Sequence, residues 1–170
     1  EASDGKAAIE LGVDGSLNLA ALSGNGTITA KGSADGILLS AGAKGLNVSG
    51  TTIDMSDSTS TGVGIHNQAG ISGIRLDNTT ININDGIGIY TGATLDKTNS
   101  GNINVSGGIG LLLQNTDGTA TANNLDLSGS DGLFIDISGS GGRGIVANLA
   151  GSDRIVDSAV NINVNHSAGG

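Results

Sequence analysis

One short phrase returns along the whole chain: an aliphatic residue, Asn or Asp, a second aliphatic residue, and usually Ser or Asn. It reads Leu46-Asn47-Val48-Ser49, Ile53-Asp54-Met55-Ser56, Ile81-Asn82-Ile83-Asn84 and Ile103-Asn104-Val105-Ser106. It returns as Leu125-Asp126-Leu127-Ser128, Ile135-Asp136-Ile137-Ser138 and Ile162-Asn163-Val164-Asn165, with a variant at Leu17-Asn18-Leu19-Ala20. A second phrase runs beside it: Gly62-Val63-Gly64-Ile65, Gly86-Ile87-Gly88-Ile89 and Gly108-Ile109-Gly110-Leu111. Ile83, Val105 and Leu127 follow one another at equal steps (105−83 = 127−105), and the leading glycines at nearly the same step (86−62, 108−86). Alternation with a period of two is a strand signal. Strands repeated every ~20–50 residues form a solenoid or array. Three short strands per repeat with no helix between them specify a right-handed parallel β-helix. At such a period the 170 residues make about seven coils.

One coil reads as the Gly-X-Gly-Ile strand, a middle strand such as Ile74-Arg75-Leu76, and then the Ile-Asn-Ile strand. The spacing predicts that Ile83, Val105 and Leu127 stack in line inside the solenoid. Ile137 follows Leu127 after less than half that step (137−127), so an extra strand or short coil is expected near Phe134. The chain is read as a single β-helix segment over 1–170, part of a longer protein, with residues 1–15 irregular.

The composition suits thin stacked coils. Gly is 31 of 170 residues, Pro and Cys are absent, and Tyr90 and Phe134 are the only aromatic residues. A globular core normally draws on aromatic rings, because each buries so much surface. Here the core must be Ile, Leu, Val and Ala. Asp-Gly pairs such as Asp14-Gly15, Asp85-Gly86 and Asp117-Gly118 mark turns. The same pairs make two-residue hairpins, so a hairpin meander is the rival architecture. The coil-length spacing favours the β-helix.

The formal charge is −9, and the seven Lys and Arg residues are scattered. A nucleic-acid surface needs a basic stripe, and an anionic membrane also attracts basic patches, so neither partner is expected. No apolar run reaches the ~18 residues of a membrane-spanning helix. The lack of Cys excludes a disulfide scaffold and a Cys-based zinc site.

Successive strand residues face opposite sides. With both aliphatic residues of the phrase pointing inward, the Asn or Asp between them points to solvent. Asn82, Asn104 and Asp126 should then form a ladder on an outer face, with Asp136 and Asn163 occupying the same place in their own phrases. Stacked amides can hydrogen-bond along such a ladder. The plain reading is a face that solubilises and stiffens the stack. The functional reading is a flat, amide-rich binding face built from Asn82, Asn104, Asp126, Asp136 and Asn163.

No segment specifies catalysis, a metal or a cofactor. Asn115-Thr116-Asp117-Gly118 resembles the Asn-Thr-Asp segment of polygalacturonases, which are also β-helices. That family adds an Asp-Asp pair, a Gly-His-Gly and an Arg-Ile-Lys. This chain has no Asp-Asp, and Val156 follows Arg154-Ile155. Glycoside hydrolysis needs two carboxylates in distinct roles. His66 and His166 are separated by several coils (166−66), too far along a straight solenoid to share a site, and each is read as a surface residue. Gly139 to Gly144 lacks the Asp of the calcium-binding nonapeptide. The Gly-X-Gly phrases precede no helix and so are not phosphate cradles; they are expected to turn coil corners. Arg75, Arg143 and Arg154 are read as solvated charges.

Residues 62–128, through Asp85-Gly86-Ile87-Gly88-Ile89-Tyr90 and Gly101-Asn102-Ile103-Asn104-Val105-Ser106-Gly107, resemble the passenger of a bacterial autotransporter, the adhesin class of type V secretion. Residues 16–60 also resemble two-partner-secreted haemagglutinin repeats. The resemblance implies an extracellular adhesin on a bacterial surface, anchored by a C-terminal outer-membrane barrel outside this sequence. It implies as partner another copy of the protein, or a host surface protein or glycan, in attachment, virulence and biofilm. A passive β-helical stalk is one alternative, and a polysaccharide lyase or hydrolase is another.

Overall fold

The structure, a computed structural model, describes residues 2–20, 26–95, 97, 99–121, 124–158 and 160–165. Its strands fall into three stacks. The long sheet holds seven strands in the order β1 (Ala2–Ser3), β4 (Gly26–Lys31), β7 (Thr51–Met55), β10 (Thr79–Ile83), β12 (Ser100–Val105), β15 (Gly132–Ile137) and β18 (Asn161–Val164). The second sheet holds β2 (Ala7–Leu11), β5 (Asp35–Leu39), β8 (Val63–Asn67), β11 (Ile87–Thr91), β13 (Ile109–Leu113) and β16 (Arg143–Ala147). The third is split into β3 (Ser16–Ala20), β6 (Gly45–Ser49) and β9 (Ile74–Asp77), then β14 (Leu125–Leu127) and β17 (Ile155–Ser158).

Every strand pairing among the described residues is parallel, which removes the hairpin meander. The chain visits the second, third and long sheets in turn, and so winds as a β-solenoid. Along the second sheet, Ile9, Ile37, Ile65, Ile89, Leu111 and Ile145 stand in register. The five steps between them are unequal (37−9, 65−37, 89−65, 111−89, 145−111), the fourth being the shortest and the fifth the longest. The solenoid therefore has about five turns rather than seven, because most coils are longer than the clearest repeat of the sequence. Residues 1–15, expected to be irregular, carry β1 and β2.

The core is a set of aliphatic stacks. Ile53, Ile81, Ile103 and Ile135 lie in register and are fully buried. Beside them run Met55, Ile83, Val105 and Ile137. Burying one such side chain contributes about 1.5–3 kcal/mol, so the stacks replace the missing aromatic core. The predicted stack of Ile83, Val105 and Leu127 is corrected at its third member. Val105 pairs with Ile137, while Leu127 belongs to β14 of the split sheet. β15 is thus the regular strand of its coil and not an insertion near Phe134. The surplus lies earlier, in the stretch 114–124 between β13 and β14 and in the 3-10 turn Ser128–Ser130.

The Gly-X-Gly phrases do more than turn corners. A Cβ on Gly88 would lie 2.6 Å from Ile103 Cγ2 and 2.5 Å from the Gly110 carbonyl oxygen. The same conflict occurs at Gly36 with Ile53, at Gly64 with Ile81 and at Gly110 with Ile135. A glycine stack in the second sheet therefore receives the first isoleucine of each long-sheet phrase. The leading glycines stand at the corner itself, where a Cβ on Gly86 would meet the Gly62 oxygen at 2.2 Å.

The split sheet breaks where the coil is shortest. The step from Ile89 to Leu111 leaves no strand among the described residues between β11 and β12. Irregular chain bridges the gap. Leu95 N–H donates to the Asp126 carbonyl at 2.9 Å, and Leu76 N–H donates to Asn99 Oδ1 at 2.8 Å. Asn99 is 1 % exposed and also donates from Nδ2 to the Lys97 carbonyl. Its amide thus serves β9 in place of the missing strand, as a buried N–H requires.

Candidate functional site

The outer face of the long sheet carries two aligned rows. Thr29, Asp54, Asn82, Asn104, Asp136 and Asn163 pair rung by rung. Two residues earlier on each strand stand Thr27, Thr52, Thr80, Asn102, Phe134 and Asn161. Strand alternation places both rows on the side opposite the isoleucine stacks. Of the three predicted ladder residues, the structure brings Asn82 and Asn104 together, and Asp136 and Asn163, read only as members of the binding face, stand in the same row. Asp126 is corrected: it pairs in the split sheet with Asp157. The phrase Leu-Asp-Leu there has the same alternation, but its strand faces a different side of the solenoid.

The ladder is bonded along the axis. Asn104 Nδ2 donates to Asn82 Oδ1 at 2.8 Å, and Asn163 Nδ2 donates to Asp136 Oδ1 at 2.8 Å. Asn102 Nδ2 reaches Asp136 Oδ2 at 2.8 Å from the neighbouring row. Both Asp136 oxygens therefore accept from amides of adjacent rungs, which fixes the carboxylate's orientation. Asn82, Asn104 and Asp136 are half-buried and Asn163 is exposed. Phe134, at 39 % exposure, is the one aromatic ring on the face. The arrangement can offer hydrogen-bond donors and acceptors at the strand spacing of ~4.8 Å.

Asp126 has a local task instead. Its Oδ1 accepts the Ser128 N–H at 2.8 Å, and the Ser128 hydroxyl and amide hold its carboxyl below the usual aspartate range. Asp117 behaves alike. Its Oδ1 accepts the Thr119 hydroxyl at 2.6 Å and the Thr119 N–H at 2.9 Å, and these two bonds lower its pKa. The Asn115-Thr116-Asp117 segment lines a polar recess of about 280 Å³ with Asn67, Gln68, Gly70 and Gly92. The carboxylate is engaged by its own turn there.

Sequence reasoning missed one arrangement. His66, expected at the surface, has a side chain only 14 % exposed. Its Nδ1 lies 2.8 Å from Asp35 Oδ2, and Asp35 Oδ1 accepts the Val63 N–H at 2.9 Å. The imidazole stacks on Tyr90, with centroids 5.0 Å apart and planes 8° from parallel. Tyr90 is itself buried, and its hydroxyl donates to the Asn115 carbonyl at 2.9 Å. Val63, Tyr90 and Leu112 form a small second apolar cluster outside the main core. The signal was the register alone: His66 and Tyr90 hold the same position in successive Gly-X-Gly-Ile strands. Arg75, Arg143 and Arg154 are exposed, as read from the sequence, and His166 lies outside the described residues. Among the described residues, no three His, Cys, Asp or Glu side chains gather to hold a metal, and no helix is long and apolar enough to cross a membrane.

Comparison of the chain with models of known protein families, with curated proteins and with solved structures finds no match.

Proposed function

We propose that this chain is a segment of a bacterial cell-surface adhesin, acting outside the cell by association with another copy or with a host surface. The observation that supports this reading is the outer face of the long sheet, where polar side chains stand in register over six rungs. A single exposed hydrogen bond contributes about 1 kcal/mol. Adhesion through such a face must therefore engage several rungs together, and a solenoid supplies them on one straight line. The adhesive residues are Asn82, Asn104, Asp136 and Asn163, with Asp54, Thr27, Thr29, Thr52 and Thr80 extending the face. Asp126 leaves this set, because its strand belongs to another sheet.

Electrostatics opposes the approach of two copies, since each carries −9. At physiological ionic strength screening confines that repulsion to ~8 Å. Raising salt from low levels should therefore promote association.

Clumping of cells that display the chain on a surface anchor tests the reading. Asn82→Lys, Asn104→Lys and Asp136→Lys together should abolish salt-promoted clumping. A control with the same charge change, Gln68→Lys, Ser72→Lys and Asp77→Lys, should leave it intact. Unchanged clumping in the first variant, or equal loss in the control, removes this face as the adhesive surface.

A further inference from the structure

The polar recess beside Asn115 lies in the middle of the solenoid, at the ends of three neighbouring second-sheet strands. One wall is the turn that follows β8, and the other is the turn that follows β13. The coil between them is the shortest, and among the described residues it contributes only Gly92 to the lining. The coil above carries the surplus stretch 114–124. A short coil set beneath a long one thus leaves a notch of about 280 Å³.

Both walls are held from within. Asn67 is fully buried, and its Nδ2 donates to the Ile71 carbonyl at 2.8 Å and to Thr91 Oγ1 at 2.9 Å. Its Oδ1 accepts the Ile71 N–H at 3.2 Å, which fixes the turn carrying Gln68 and Gly70. Opposite, Asn115 Nδ2 donates to Thr119 Oγ1 and to the Ala120 carbonyl, both at 3.1 Å. The Asn115 carbonyl accepts the Tyr90 hydroxyl, and Gln114 Nε2 donates to that hydroxyl at 2.9 Å. Asn148 Nδ2 donates to the Gly118 carbonyl at 3.4 Å and ties the loop to the next coil. These bonds leave polar groups over. The Gln68 amide and the Thr116 hydroxyl bond to no described residue. Asn115 Oδ1 and Asp117 Oδ2 remain as acceptors. Asp117 is the one charged side chain in the lining.

We propose that this recess binds a single neutral sugar unit through Gln68, Asn115, Thr116 and Asp117. Pockets for drug-sized ligands begin near ~300 Å³, so a notch of about 280 Å³ admits one small ring rather than a peptide. The Gln68 amide and the Thr116 hydroxyl donate, while Asn115 Oδ1 and Asp117 Oδ2 accept. A sugar hydroxyl does both, and adjacent hydroxyls on one ring present such groups in pairs. The Asp117 carboxylate repels an anionic ligand. Calcium takes roughly six to eight oxygens, and this lining offers it a single carboxylate. An apolar ligand would strip water from these groups without replacing their hydrogen bonds, which is unfavourable. The walls are fixed before any ligand arrives, so little ordering opposes binding. This inference does not depend on the adhesive reading of the polar face, which belongs to another sheet.

Titration of the methyl pyranosides of glucose, galactose and mannose into the isotope-labelled chain, followed by amide chemical shifts, provides the test. At least one should give saturable shifts, confined to the amides of residues 67–70, 92 and 115–118. Gln68→Ala with Thr116→Val should weaken that binding at least about tenfold, through the hydrogen bonds it removes. Neither side chain bonds to a described residue, so the melting curve of this variant should match wild type. Should its fold fail, Gln68→Ala alone replaces it, with a fall of about fivefold. N-acetylneuraminate, whose carboxylate would face Asp117, should give no saturable shift. The variant carrying Asn82→Lys, Asn104→Lys and Asp136→Lys should bind the hexoside as wild type does, which separates the recess from the polar face. The absence of a saturable shift with all three hexosides overturns the proposal. Equal shifts from glycerol would mean a hydrated notch only, and the same shifts from calcium chloride alone would mean a cation site; either result also overturns it. So does undiminished binding in the Gln68 and Thr116 variant, equal binding of N-acetylneuraminate, or loss of binding in the polar-face variant.

Discussion

A single absent methyl group decides how closely two sheets of this solenoid approach. At Gly88 the neighbours are the Gly110 carbonyl oxygen, 2.5 Å from an added Cβ, and the buried Ile103 Cγ2, at 2.6 Å. Neither can retreat without moving a strand. Overpacking of this kind typically costs about 1–3 kcal/mol. Gly88→Ala should lie at the upper end of that range in urea-induced unfolding. Gly12→Ala is the matched control. Nothing stands within 4 Å of its added Cβ, so its effect should stay within about 0.5 kcal/mol. Equal stability of the two variants would show that the glycine stack does not set the sheet approach. The sequence marks Gly88 by its place in a repeated phrase. It does not reveal that the partner of each such glycine is the isoleucine of the next Ile-Asn-Ile phrase, because that contact crosses the interior.

Strands carry the fold's regularity, and one missing strand shows what the regularity requires. Between β9 and β14 the split sheet lacks a member, and Asn99 accepts the Leu76 N–H in its place. Asn99→Ala should cost about 1–3 kcal/mol, the penalty of leaving a buried donor unpaired. Faster amide exchange at Leu76 should accompany the loss, and an unaltered Leu76 would overturn the assignment. Elements of this kind explain what was legible beforehand. The three-strand coil was legible because alternation and recurrence are local. The neighbouring places of Asn82 and Asn104 in the ladder were legible for the same reason. Asp126 was misplaced because Leu125-Asp126-Leu127 follows Ile103-Asn104-Val105 at the same step by which that phrase follows Ile81-Asn82-Ile83 (125−103 = 103−81). The coil in between is the longest of the solenoid (145−111), so that step ends in the wrong sheet. A usable mark exists downstream. The long-sheet phrases at Ile53, Ile81, Ile103 and Ile135 are followed by a Gly-X-Gly phrase led by Gly62, Gly86, Gly108 and Gly142, whereas the split-sheet phrases at Leu46, Ile74 and Leu125 are followed by a further alternating phrase at Ile53, Ile81 and Ile135. The His66 and Asp35 pair escaped notice because its members stand more than a full coil apart in the chain (66−35), a distance that only a settled register closes.

At the scale of the whole molecule, each coil rests on its two neighbours and little else. Stability in such a stack is close to a sum of coil terms and nearest-neighbour interfaces. The middle coils have two interfaces and the terminal ones have one. Amide exchange of the monomeric chain should therefore be slowest in β10, β11, β12 and β13 and fastest in β1 and β18. Uniform protection along the axis would contradict this account. The insertions have a different consequence. The shortest and the longest coil both advance the long sheet by one strand, since the surplus collects in the turns and the split sheet. The long sheet is thus a ruler whose graduations ignore the length of chain between them. Two such rulers laid side by side match at every whole-number offset. Sliding by one graduation keeps the rungs aligned but changes which residues meet, because Thr, Asp, Asn and Phe134 alternate along the rows.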